Sequence, residues 1–154
     1  MKVSLAITVL NESDHIRRLF DSVVKQTRQP DEVVVCDGGS KDNTLDLIRE
    51  YSNRLPLKIV TKEGANISQG RNEAIRNASH EIVAVTDAGV WLEERWLEEL
   101  LKGIGDQRLE IKSNLQSPIS NSLVAGFFQS DPQNIFEIAL GATNRTGEDA
   151  CHAR

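Results

Sequence analysis

A chain of 154 residues with 39% hydrophobic and 27% charged side chains has the size and composition of one soluble globular domain, which excludes disordered and collagen-like classes. Its formal net charge of −5 argues against sequence-independent binding to DNA or RNA, which needs clustered Lys and Arg, so no nucleic-acid partner is expected. No apolar run approaches the roughly 20 residues that span a bilayer, and the start turns polar at Asn11, so a cytoplasmic protein is expected, with peripheral membrane association left open.

In chain order, Val3 to Val9 alternates and then runs apolar, which predicts a buried strand. Asn11-Glu12-Ser13-Asp14 supplies capping residues for a helix starting there, and Ile16, Leu19, Phe20 and Val23 form its apolar stripe until Pro30 ends it. Glu32 to Cys36 reads as a β-branched strand, Asp37-Gly38-Gly39-Ser40 as a tight turn, and Leu45, Ile48 and Tyr51 with Leu47 as a second helix. Leu57 to Val60 makes a third strand. Ile67, Arg71, Ala74, Ile75 and Ala78 suit a third helix and Glu81 to Thr86 a fourth strand. Leu92, Trp96, Leu97, Leu100, Leu101 and Ile104 suit a fourth helix. Past Gly105 the spacing breaks into a polar excursion from Asp106 to Ser122. A strand is expected over Leu123 to Phe128 and a helix over Pro132 to Ala142 with Asp131 as N-cap. The domain is therefore expected over 1–142, its core over 1–105, with a disordered tail over 143–154.

Strand and helix alternate at roughly the 30-residue length of a βαβ unit, which predicts an α/β fold with a mainly parallel sheet and helices on both faces. In such sheets ligands bind beyond the carboxyl ends of the strands. The residues to inspect are thus Asn11-Glu12, Asp37-Gly38-Gly39-Ser40 and Asp87-Ala88-Gly89. Any one aspartate after a strand is most often a turn former or cap. Convergence of three polar clusters on one edge is what points to a site.

Each cluster has its own chemistry. Asp37 is a hydrogen-bond acceptor for a base or ribose, and Gly38 and Gly39 lack a Cβ, so a ligand can come close to the backbone. Asp87 follows Ile82-Val83-Ala84-Val85-Thr86 and is placed to hold a divalent cation against a diphosphate, since Mg²⁺ commonly uses one or two carboxylates with phosphate and water completing its shell. Arg71, in Gly70-Arg71-Asn72, offers a guanidinium to phosphate oxygens or a base carbonyl, with Lys62 as a further countercharge. No Gly-x-Gly-x-x-Gly follows the first strand and no Walker A sequence is present, which disfavours nicotinamide dinucleotides and P-loop chemistry. His15, His80 and His152 lack zinc-ligand spacing, and Cys36 and Cys151 suggest neither a disulfide framework nor a nucleophile.

With these residues in place, the sequence resembles the family-2 glycosyltransferases, whose nucleotide-binding domain has the three-layer, Rossmann-like GT-A fold. Ile7-Thr8-Val9-Leu10-Asn11-Glu12 is similar to the family's opening strand ending in Asn-Glu, and Val35 to Thr44 to its Asp-Gly-Gly-Ser-x-Asp-x-Thr segment. Gly70-Arg71-Asn72 resembles Ala-Arg-Asn, and Thr86-Asp87-Ala88-Gly89 stands where the family usually has the metal-binding Asp-x-Asp. The resemblance implies that Val9, Asn11, Glu12, Asp37 and Gly38 surround the donor nucleoside. It further implies that Arg71 approaches base or phosphate and that Asp87 holds Mg²⁺ or Mn²⁺. The implied reaction is transfer of a sugar from a nucleotide-diphosphate donor to an acceptor with inversion.

Two departures qualify the resemblance. Gly89 replaces the second aspartate of the metal signature. The family's acceptor half and general base normally lie further downstream than Arg154, so a truncated enzyme is expected, with Asp149 of Glu148-Asp149 as a weak candidate base. Two alternatives follow: a non-catalytic nucleotide-binding fragment, and a nucleotidyltransferase, which would release pyrophosphate from a nucleoside triphosphate.

Overall fold

The computed structural model describes residues 1–104. The expected excursion over Asp106–Ser122, the strand over Leu123–Phe128, the helix over Pro132–Ala142 and the tail from Thr143, with Asp149, lie outside the described residues. The elements are β1 (Val3–Val9), α1 (Ile16–Val24), β2 (Glu32–Asp37), α2 (Thr44–Arg49), β3 (Leu57–Thr61), α3 (Ile67–Arg76) and β4 (Ile82–Asp87), followed by α4 over residues 96–104. All strand pairs are parallel, in the order β3-β2-β1-β4.

The central strands read as near-continuous apolar runs because both of their faces are covered. Alternation along them sends Leu5, Ile7, Val9, Val33 and Val35 to one side, where they pack with Ile16, Leu19, Phe20 and Val23 of α1 and Leu47 and Ile48 of α2. The opposite side carries Ala6, Val34 and Cys36 against Ala74 of α3. A three-layer α/β domain results, with large side chains filling one interlayer core and smaller ones the other.

Four expectations need correction at the level of individual residues. The helix expected to start at Asn11–Asp14 starts at Ile16, with His15 at the N-cap and no side-chain cap. The polar residues ahead of it serve another purpose. The amides of Asn11, Glu12 and Ser13 donate to Ser40 Oγ (2.9 Å), Thr44 Oγ1 (2.8 Å) and Asp42 Oδ2 (3.2 Å), which ties the loop after β1 to the loop after β2. Asn11 returns the contact by accepting from the Lys41 amide at 2.9 Å, and its φ of 54° is one that Asn tolerates better than most residues.

In α2, Tyr51 falls past the helix end yet is buried, its ring 5.1 Å from that of Phe20 and its hydroxyl donating to Asp21 at 2.8 Å. Of the apolar residues expected in α3, Ala74 is buried and Ala78, just past the helix end, packs beside it, whereas Ile67 and Ile75 are exposed, by 66% and 38%, and Gly70 joins Ala74 on the packed face. Small residues win this face because α3 lies close against β1 and β2. Leu92, expected in the fourth helix, precedes it in an irregular segment. There its amide donates to Ser22 Oγ (2.9 Å), and in the first turn of α4 the Leu97 amide donates to Gln26 Oε1 (3.0 Å). Ser22 and Gln26 are buried polar residues whose partners are backbone groups that this segment and the helix start would otherwise leave unpaired.

Candidate functional site

Strand register decides whether the separated clusters meet. Val9 of β1 lies opposite Asp37 of β2, and Thr8 of β1 lies opposite Asp87 of β4. The two aspartates therefore flank the carboxyl end of one strand, about two strand spacings or roughly 10 Å apart. The edge is also where the chain reverses direction across the sheet, running from β1 outward to β2 and β3 and then returning to β4 on the other side. Such switch points open a crevice because successive connections diverge to opposite faces.

Leu10 divides this edge into two clefts. The first, about 760 Å³, is lined by Asn11, Asp37, Gly38, Ser40, Lys41 and Glu63 among others. Asp37 is only 1% exposed, and its carboxylate accepts from the Gly39 amide (3.1 Å), the Ser40 amide (3.1 Å) and the Ser40 hydroxyl (2.5 Å). It thus builds the turn. Gly39 has a φ of +100°, which an L side chain rarely adopts. Gly38 is small for a reason internal to the protein, since a Cβ there would stand 3.3 Å from the Ala65 carbonyl and 3.5 Å from Leu10.

The second cleft, about 600 Å³, is lined by Thr8, Val9, Glu12, Asn66, Ser68 and Asp87 with their neighbours. The amino end of α3 borders it, fixed by a reciprocal pair in which Asn66 accepts from the Gln69 amide (2.9 Å) and Gln69 accepts from the Asn66 amide (3.1 Å). Arg71, one turn on, donates from Nη2 to Asp87 Oδ1 at 2.7 Å. Both partners are partly exposed, at 38% and 58%, so the pair contributes about 0–1 kcal/mol. Arg71 Nε is buried and has no hydrogen-bond partner among the described residues. An orphaned donor of this kind costs about 1–3 kcal/mol until an acceptor reaches it.

Burial biases charge in the loop after β1 and hydrogen bonding in the loop after β2. Burial, the largest influence, raises Glu12 above the usual carboxylate range, with Asp42 pushing the same way and His15 opposing. Asp42 is held down at about 2, chiefly by the Thr44 hydroxyl, with the Thr44 and Ser13 amides adding to it against a smaller desolvation effect. Because its folded value lies below the ordinary 3.8, Asp42 adds stability above pH 3.8 that disappears as pH falls toward about 2. Asp42→Ala is expected to lower the urea midpoint at pH 6, the gap to the unaltered protein narrowing from pH 4 to pH 2.5. A gap that stays constant across that range contradicts this role for the carboxylate.

The structure thus brings Val9, Asn11, Glu12, Asp37, Gly38, Arg71 and Asp87 to one edge. Lys62 is not directed at it as a spare charge, for its Nζ pairs with Glu73 at 2.9 Å. Among the described residues no three His, Cys, Asp or Glu side chains cluster as a metal site. Asp87, partly exposed and without a carboxylate at position 89, fits a cation that takes its other ligands from phosphate and water. Sequence reasoning missed the stitching by Thr44 and Asp42, the amino end of α3, and Thr8, whose Oγ1 would be 2.3 Å from a Cβ on Gly70. The Asn66-x-x-Gln69 spacing was the one available signal for the second of these.

Known proteins resemble this chain in sequence and in fold. The model of the family "Glycosyl transferase family 2" matches residues 4–112. The poly(ribitol-phosphate) beta-N-acetylglucosaminyltransferase TarP of Staphylococcus aureus is 31% identical over 140 residues, covering 88% of this chain and 41% of TarP. Glycosyltransferase GlyA of Streptococcus pneumoniae is 29% identical over 111 residues, covering 71% of this chain and 16% of GlyA. Among solved structures, S. aureus TarS in complex with UDP superposes with a TM-score of 0.63 at 31% identity, over 70% of this chain and 33% of that one. The mannosyltransferase PcManGT of Pyrobaculum calidifontis, in complex with GDP-Man and Mn²⁺, gives 0.60 at 30% identity, over 66% and 31%. The chain therefore spans less than half the length of each of these relatives. From motifs, fold and these likenesses together, the chain belongs to glycosyl transferase family 2 and carries the nucleotide-sugar-binding domain of that family in its GT-A fold.

Proposed function

We propose that this domain binds a nucleotide-diphosphate sugar across the carboxyl end of β1 and transfers the sugar, with inversion, to an acceptor nucleophile. The nucleoside lies in the cleft bordered by Asn11, Asp37 and Gly38, beside Val9 and Glu12, and the diphosphate lies toward Arg71 and Asp87. The observation that carries this reading is the register, which sets Asp37 and Asp87 on either side of one strand end. Two further features support it. Arg71 Nε is a buried donor awaiting an acceptor, and solved relatives hold UDP or GDP-Man on the same fold.

Asp87 would hold Mg²⁺ or Mn²⁺ together with the diphosphate, and such an ion supplies Lewis-acid stabilisation of the departing nucleotide. The protein's own groups do the rest. Arg71 offers guanidinium donors to phosphate oxygens, and Asp37 positions the Gly39–Ser40 turn and accepts from a base N–H in place of the Ser40 hydroxyl. Asp149 as general base and a cytoplasmic location are part of the proposal, the latter supported by Cys36, a buried free thiol. No helix among the described residues is long and apolar enough to cross a membrane.

A thermal-shift screen of UDP, GDP, ADP and CDP with and without Mn²⁺ tests the reading. One diphosphate at about 100 times its Kd is expected to raise the melting temperature by about 5–10 °C, and more with Mn²⁺ than without. Gly89→Asp should enlarge the Mn²⁺-dependent part, because a Cβ at position 89 meets nothing within 4 Å. No shift with any of the four rejects nucleotide binding. Binding without transfer from a matched donor sugar would favour the second reading, a nucleotide-binding domain inactive by itself, which rests on the chain's short span of its relatives.

A further inference from the structure

Arg71 and Asp87 have so far been given separate tasks, yet in this structure they are bonded to each other. Arg71 Nη2 donates to Asp87 Oδ1 at 2.7 Å, so the carboxylate assigned to a cation already holds a cation. Position 89 offers no second carboxylate with which Asp87 could outcompete the guanidinium for a divalent ion. The pair is also incomplete on the arginine side, for Nε is buried and unpartnered among the described residues while Nη2 is engaged. A guanidinium drawn toward an anion in the adjoining cleft can satisfy donors that Asp87 leaves unsatisfied. Partial exposure of both side chains makes the exchange inexpensive.

We propose that Arg71 is a positioning residue that latches Asp87: it masks the carboxylate while the cleft is free of nucleotide, and a diphosphate that takes up the guanidinium releases Asp87 for the cation. This rests on the nucleotide-diphosphate reading above. Its consequence is that cation and nucleotide bind with mutual coupling beyond what shared phosphate oxygens provide. The coupling is reciprocal, so each ligand strengthens the other by the same factor. The other cationic side chains described near α3 are not part of the latch. Lys62 and Arg76 face Glu73, at 2.9 and 3.5 Å, and Lys58 Nζ donates to the Asn77 carbonyl at 2.7 Å.

Titration of Mn²⁺ followed by electron paramagnetic resonance, with and without saturating UDP or GDP, separates these contributions. Without nucleotide, Arg71→Met is expected to bind Mn²⁺ roughly tenfold more tightly than the unaltered protein, since both the competing bond and a nearby positive charge are removed. Arg76→Met should leave that affinity unchanged, and Arg71→Met/Asp87→Ala should lose the gain. The factor by which nucleotide tightens Mn²⁺ binding should be about tenfold smaller in Arg71→Met than in the unaltered protein. Arg71→Gln, checked for folding by its thermal melt, serves as a second version of the variant. Equal Mn²⁺ affinity of the unaltered protein and both Arg71 variants without nucleotide overturns the latch, as does a gain that persists when Asp87 is absent. Failure of nucleotide to bind at all would instead reject the donor-site reading, while the nucleotide-free titration still decides whether Arg71 masks Asp87.

Discussion

Gly70→Ala is expected to destabilise the domain by about 1–2 kcal/mol and to weaken nucleotide binding, and Thr8→Ala in the same chain is expected to restore most of both. The reasoning starts from distance. A Cβ on Gly70 would stand 2.3 Å from Thr8 Oγ1, closer than any real contact, whereas the next atom, Thr8 Cβ, would be at 3.4 Å. Overpacking costs about 1–3 kcal/mol, and an approach of 2.3 Å belongs at the upper end, about 2–3 kcal/mol, of which the better helix propensity of Ala recovers about 1 kcal/mol. Because Gly70 sits where α3 crosses β1, the strain is relieved by moving the helix, and the helix carries Arg71 in the next position. Urea unfolding of the two single variants and the double variant gives the stability terms, and nucleotide titration gives the functional one. An unaffected Gly70→Ala protein, or a double variant no better than the single, would show that the close approach of α3 is not what sets the site.

Asp87→Ala should behave in the opposite way, losing binding and little stability. Asp87 is 58% exposed, and its ion pair with Arg71 belongs to the weak surface class, so its removal should change unfolding free energy by less than about 1 kcal/mol. Its contact with a cation and diphosphate is charge-assisted, and loss of such a contact is worth about 1.5–3 kcal/mol, or roughly ten- to hundredfold in affinity. Asp37→Ala cannot separate these quantities, because that carboxylate also holds the Gly39 and Ser40 amides and is buried. Calorimetric titration of the matched nucleotide in the presence of Mn²⁺ checks the expectation, and an Asp87→Ala protein that binds as tightly as the unaltered one removes Asp87 from the site.

The strands were legible because a two-sided parallel sheet writes long apolar runs, as in Val3–Val9 and Val33–Cys36. Helix boundaries were less so. Asn11 to Asp14 has capping composition, yet the amides of Asn11, Glu12 and Ser13 are satisfied by Ser40, Thr44 and Asp42, 29 to 32 residues away, and nothing local distinguishes the two uses. The face of α3 is legible only in part, with Ala74 buried as the periodicity predicts and Ile67 and Ile75 exposed. Periodicity favours large apolar residues such as Ile67 and Ile75, while a helix pressed against a strand buries Gly70 and Ala74. At the site, the residues were visible as polar clusters after strands, whereas their pairing was not. That Arg71 and Asp87 bond to each other follows from the placement of α3 over β1, which only the three-dimensional fold reveals.

The most direct measurement is an amide nitrogen–proton correlation spectrum of the labelled protein titrated with the matched nucleoside diphosphate and Mg²⁺. Resonances from both groups, 10–12 with 38–41 and 66–71 with 87–89, should shift together along one binding curve. Those of Ser4, Glu32 and His80, which join one another at the amino ends of the strands, should stay still. Shifts confined to one of the two groups, or centred on Ser4 and His80, contradict a donor site spanning the carboxyl end of β1.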